Sequence, residues 1–167
     1  GGSRAAERPA GLRIFGPNAT VAQDLEPEYI TVSKDNRYAF VSLQENNGIA
    51  KIDLAKKSIE TIWALGAKDY NQQGNELDIS DKDKTIQLQN WPVLGLYMPD
   101  SIASYMVSGK TYIVTANEGD SRDYKGFSEE LRVKDLAESN SRLALTSPLN
   151  HSIEGQLEDD NNLGRMK

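Results

Sequence analysis

The sequence predicts an all-β protein made of β-propeller blades, each a four-stranded antiparallel meander, in an incomplete propeller with a long insertion and one short helix. Two observations carry this reading. The first is a segment that occurs twice, as EPEYITVSKDNRYAFVSLQEN around Pro27 and as MPDSIASYMVSGKTYIVTANEG around Pro99. With Glu45 laid on Glu118, an offset of about 73 residues brings Phe40-Val41-Ser42 onto Ile113-Val114-Thr115 and Gln44 onto Asn117, with one residue slipped near the prolines. The second is a run of four strand signals between Glu28 and Leu65, the size of one blade. One such unit cannot bury its apolar face alone, so a unit that recurs stacks on its copies. A sandwich also uses short antiparallel strands, but its hairpins need not recur as a unit.

The elements follow from local chemistry. Residues 1–10, opening Gly1-Gly2-Ser3, read as an appended or disordered leader, and residues 11–138 as the blade region. Tyr29 to Val32 alternates, Asp35-Asn36 turns, and Tyr38 to Leu43 is rich in β-formers. Asn46-Asn47-Gly48 is a hairpin turn, followed by strands from Ile49 to Asp53 and from Ser58 to Leu65. Ser101 to Asn117, turning at Ser108-Gly109-Lys110, supplies two strands of the next blade. The repeat offset exceeds the roughly 40–50 residues of an ordinary blade, which marks residues 66–98 as an insertion. Insertions on a repeat scaffold commonly carry function. Phe127 to Ser139 has the pattern of a helix, with Ser128 as its cap and Glu129 and Glu130 suiting its N-terminal dipole. Residues 139–167, with the run Glu158-Asp159-Asp160, read as a polar acidic loop or tail.

Composition excludes several classes. A net charge of -6 disfavours the clustered positive face that a nucleic-acid backbone requires. No apolar run reaches the roughly 18 residues of a membrane-spanning helix, and the N-terminus shows no signal-peptide core. With no cysteine, thiol catalysis, disulfides and thiolate zinc sites are absent. The single histidine, His151, sits in a polar stretch unsuited to a catalytic relay, and no GxSxG, Walker or HExxH motif occurs. Asn18-Ala19-Thr20 and Asn150-His151-Ser152 are sequons, making Asn18 and Asn150 glycan acceptors in a secreted eukaryotic protein.

Two acidic groups are the candidates for chemistry. Asp78, Asp81 and Asp83, with Glu76 and Ser80, offer several oxygen ligands on a short segment, as calcium prefers. The spacing is not that of an EF-hand, since Lys82, Asp83 and Gln89 occupy three of its defining positions. The alternative is a solvated turn whose charges Lys82 and Lys84 offset. The second group is Glu118 and Asp120 in NEGDSRD, with Glu45 as the repeat counterpart of Glu118. Equivalent strand ends of a propeller converge on one face, so Glu45 and Glu118 would share a cation or basic ligand there. The alternative is turn residues serving local backbone and Arg122. Trp91, beside Pro92 and Leu94, reads as a packing anchor for the insertion.

These stretches together resemble the choice-of-anchor I family of secreted bacterial proteins and its animal relatives, the mesenchyme-specific cell-surface glycoproteins linked to biomineral formation. The resemblance rests on Gly11 to Ser33, SLQENNGIAKIDL, LGAKDY, GNELDISDKD, NWPVLGLYMPDSIASY, TYIVTANEGDSRDY and LGRMK, in order along most of the chain. It implies a β-propeller, an extracellular, secreted or surface-anchored location and, in the animal branch, glycosylation and association with calcium mineral. It also implies that the remaining blades are supplied as partner, either by a separate cleaved chain or by a longer protein of which this is a part. The leading expectation is therefore a non-enzymatic, calcium-binding surface or matrix protein. Its rivals are a metal-dependent phosphoesterase or other hydrolase on the same scaffold, and an interaction scaffold without an ion.

Overall fold

The computed structural model describes residues 10–138 and 155–167. They form two compact units, residues 10–68 with Leu94–Ser121, and Asp69–Val93 with residues 122–138 and 155–167. The protein is all-β in character, with antiparallel sheets and little helix.

In the first unit, β1 (Pro27–Val32), β2 (Tyr38–Leu43), β3 (Gly48–Asp53) and β4 (Ser58–Ala64) form one antiparallel sheet in chain order. The meander expected from the sequence is present strand for strand. At the β1–β2 turn the Ser33 hydroxyl donates to Asp35 (2.6 Å), which accepts from the Arg37 amide, while Asn36 takes a left-handed φ of 57°. The Ser33 hydrogen bond holds the Asp35 carboxyl below the usual range. Alternation along β2 sends its side chains to two cores. Phe40 joins Ile49 and Ile102 on one face, whereas Val41 and Leu43 join Ala50 on the other.

The second copy is the hairpin of β7 (Pro99–Val107) and β8 (Lys110–Asn117), which follows the short pair β5 (Ala67–Asp69) and β6 (Leu94–Leu96). Its two-residue turn places Ser108 and Gly109 both at positive φ, the geometry that matches the twist of tightly joined strands. The two copies share their pairing in detail. Thr31 faces Phe40 in the first and Ser104 faces Ile113 in the second, and each ladder carries a bulge just after its proline, between Pro27 and Ile30 and between Pro99 and Ile102. The copies also touch: β7 packs on β1 and β2, Thr31 Oγ1 and Ser104 Oγ lie 3.1 Å apart, and Ser42 Oγ donates to the Asp100 carbonyl at 2.9 Å. Ile113 packs against the Phe40 cluster. Among the described residues the sheets remain open, with β1 and β4 at the edges of one and β8 paired only with β7.

A polar layer ties the first unit together. Asn46 and Asn47, expected simply as turn residues, are fully buried and bond far along the chain. Asn46 Nδ2 donates to the carbonyls of Arg13 and Asp24, and its Oδ1 accepts from the Glu26 amide. Asn47 Nδ2 donates to the Gly66 carbonyl at 2.7 Å, and its Oδ1 accepts from the Tyr97 and Met98 amides at 3.1 and 2.9 Å. A one-turn helix, α1 (Val21–Asp24), has no counterpart in the sequence expectations. It delivers buried Asp24, whose carboxylate accepts from the Phe15 and Gly16 amides. Beside Asn47, Gly48 has no room for a side chain, because a Cβ there would stand 2.6 Å from Leu12 and 2.9 Å from the Trp63 carbonyl.

In the second unit, Trp91, Leu157 and Leu163 form the core, with Leu77, Ile79, Val93, Val133 and Met166 around them. The Trp91 indole donates to the Leu77 carbonyl at 2.9 Å, fixing the insertion on this core as the packing-anchor reading expects. Leu157 and the 3-10 turn Leu163–Arg165 lie in the stretch read as a polar loop, and they supply two of its three buried members. The helix expected over Phe127 to Ser139 is shorter. Its first residues form a hairpin, β9 (Asp123–Tyr124) with β10 (Phe127–Ser128), and helix α2 spans Val133–Glu138. Arg122 explains the difference. Its guanidinium pairs with Glu129 (3.2 Å), with side chains 1% and 8% exposed, and its carbonyl accepts from the Glu129 amide, committing Glu129 to the hairpin rather than to a helical first turn.

Candidate functional site

The strand-end group lies in the first unit. Gln44, buried at the end of β2, donates through Nε2 to Glu118 Oε2 at 3.2 Å, so the ends of the two copies meet. Glu45 follows directly, half-buried, with its carbonyl accepting from Arg13 Nη1 at 2.8 Å. Glu118 is exposed and anchored through its amide to the Met98 carbonyl. Asp120, also exposed, accepts from the Ser121 amide at 3.0 Å. Together these residues place an amide, two carboxylates and an exposed acidic turn at the ends of β2 and β8. Exposed Asn18, with φ 59°, stands in a turn of the same unit; Asn150 lies outside the described residues.

The insertion group lies in the second unit, beside an open cleft of about 550 Å³ lined by Asp78, Asp81, Thr85, Arg132 and Arg165 among others. Asp81 is committed to Arg165 by two hydrogen bonds, the Nη2–Oδ2 contact measuring 3.1 Å. The Arg165 bond draws the Asp81 carboxyl down to about 2. Asp83 turns back on its own loop, accepting from the Thr85 amide and hydroxyl. Ser80 donates to the Asp160 carbonyl, and Asp160 pairs with Lys134 at 2.7 Å. Among the described residues no three His, Cys, Asp or Glu side chains are grouped to hold a metal ion. Asp78, Asp81 and Asp83 therefore do not fit a ready calcium cage, since an ion would first have to displace a guanidinium from Asp81. Sequence reasoning passed over Arg132, Lys134 and Arg165, whose partners are remote in sequence. The only signal for them was LGRMK, which contains Arg165.

The model of the Choice-of-anchor I domain family matches residues 2–167. The chain belongs to the choice-of-anchor I family. No curated protein and no solved structure matches it. A choice-of-anchor domain is associated with the cell surface or exterior, and no described helix is long and apolar enough to cross a membrane. Within this choice-of-anchor I chain the family match spans both acidic groups, but the geometry treats them differently: Glu118 and Asp120 are exposed and Glu45 half-buried, whereas Asp81 is paired with Arg165 and Asp83 with Thr85.

Proposed function

We propose that this chain contributes consecutive blades to a β-propeller that acts outside the cell, secreted or held at its surface, as a non-enzymatic binding scaffold whose strand-end rim takes calcium. The observation carrying the reading is the equivalence of the Thr31–Phe40 and Ser104–Ile113 pairs in two hairpins that pack on each other with the same bulge. Blades related in this way bring like strand ends to one face, which is where Gln44 meets Glu118. Hard cations favour clustered oxygens; Gln44 and Glu118 already meet here, and an ion would have to draw Glu45 and Asp120 in beside them, since these carboxylates are not already grouped. In the animal branch the same rim would meet calcium in mineral or matrix, and Asn18 is exposed for a glycan.

Calorimetric titration of calcium tests the ion, with the Glu118→Gln variant alongside. Heat of binding that falls at least tenfold in affinity for Glu118→Gln, with Asp83→Asn unchanged, supports the rim. No heat in either protein removes calcium and leaves an ion-free scaffold. Turnover of a phosphate ester abolished by EDTA would instead favour a hydrolase.

A further inference from the structure

The open cleft of the second unit, about 550 Å³, has the size of a small-molecule site. Its walls come from three separated stretches of chain, which contribute Asp78 with Asp81, Arg132 and Arg165. Backbone and core contacts hold these walls in place. Arg132 Nη1 donates to the Arg165 carbonyl at 2.6 Å, the Val133 amide donates to the Met166 carbonyl at 2.9 Å, and Ile79, which also lines the cleft, packs against the Trp91 core. The charges then pair off unequally. Asp81 is taken by Arg165, and Asp160, the other carboxylate that feels these arginines, is taken by Lys134 at 2.7 Å. Two groups of opposite sign are left over. Half-buried Asp78 has no hydrogen-bond or ion-pair partner among the described residues, and half-buried Arg132 has used a single donor of its guanidinium fork, on a neutral carbonyl.

We infer that this cleft binds a small zwitterion, its ammonium on Asp78 and its carboxylate or phosphate on Arg132. A half-buried carboxylate and a half-buried guanidinium each cost free energy without a counter-charge, and a ligand carrying both signs answers both while keeping the lining neutral. A plain anion would meet the Asp78 and Asp81 carboxylates, and a plain cation the Arg132 and Arg165 guanidiniums, so like charge disfavours either alone. The acidic end of the ligand is a carboxylate or phosphate because the guanidinium fork matches those groups with parallel bonds. Free amino acids, short peptides and phosphoethanolamine headgroups share this chemistry. The site has no residue in common with the strand-end rim, so it stands or falls independently of calcium there.

Calorimetric titration of residues 1–167 in EDTA, which keeps divalent ions off the carboxylates, tests it with glycine, 4-aminobutyrate, 6-aminohexanoate, triglycine and O-phosphoethanolamine as probes. At least one probe is expected to bind with a dissociation constant of about 1 mM or tighter. Its affinity should fall at least about tenfold in Asp78→Asn and in Arg132→Gln, the loss typical of one charge-assisted bond. Ethylamine and acetate, each carrying one of the two charges, should bind at least about tenfold more weakly than that probe. Asp78→Asn breaks no described contact, so an unchanged Tm in that variant separates lost binding from lost folding. A carboxylate probe that binds best makes the ligand an amino acid or peptide, and phosphoethanolamine binding best makes it a headgroup; both outcomes support the site. No heat from any probe at up to about 20 mM overturns the inference. Equal affinity in Asp78→Asn also overturns it, as does acetate binding as tightly as the zwitterions, which would leave a simple anion site.

Discussion

Asn47 holds three backbone groups from two distant segments with one side chain, so its removal leaves the Tyr97 and Met98 amides and the Gly66 carbonyl without this partner in a buried place. Orphaned buried groups cost more than the bond that joined them was worth. Asn47→Ala is expected to destabilise the first unit by about 2–4 kcal/mol, read from the shift in a urea unfolding midpoint. Asp81 offers a test by pH. Its folded carboxyl titrates near 2 and the unfolded one near about 3.9. The contribution of the Asp81–Arg165 pair is therefore complete above about pH 4 and is lost as pH falls toward about 2. Melting curves across that window should lose part of their acid slope in Asp81→Asn, while at pH 7 that substitution leaves Arg165 without its partner and lowers stability slightly.

At the scale of elements, the hairpins were legible because turn residues and alternation are local signals: Asn36, Asn47 and Ser108-Gly109 each turn the chain where the sequence places a turn. The bulges after Pro27 and Pro99 were not legible, because each is one extra residue in a strand that otherwise alternates normally. Phe127 to Ser139 misled for a physical reason, since Ser128, Glu129 and Glu130 suit a helix start while the buried partner of Glu129, Arg122, precedes the segment. Likewise Asp81 was visible as a carboxylate, but its partner Arg165 is 84 residues away and nothing local announces the pair. The contact between copies can be weighed directly. A double-mutant cycle of Thr31→Ala and Ser104→Ala should show a coupling of about 0.5–1.5 kcal/mol, the range for a hydrogen-bonded pair, and additivity within error would separate the hairpins energetically.

For the whole molecule, two cores imply two handles on stability. Phe40→Ala removes the centre of one cluster in the first unit, and Trp91→Ala the centre of the core in the second. Each is expected to cost about 3–5 kcal/mol. Hydrogen exchange should show the loss of protection concentrated in the unit that carries the substitution. One further consequence follows from the fully buried turn at Asn47. Asn47-Gly48 is the sole Asn-Gly step in the sequence, and such steps lose ammonia when the glycine nitrogen attacks the amide carbon. In the folded chain that amide is pinned by its three partners and the glycine lies in a strand, so cyclisation must await opening of the turn. Deamidation at Asn47, followed by mass spectrometry during storage, is therefore a chemical clock for how often the first unit comes apart. Once it has struck, the new carboxylate has no amide hydrogen left for Gly66, and refolding is compromised.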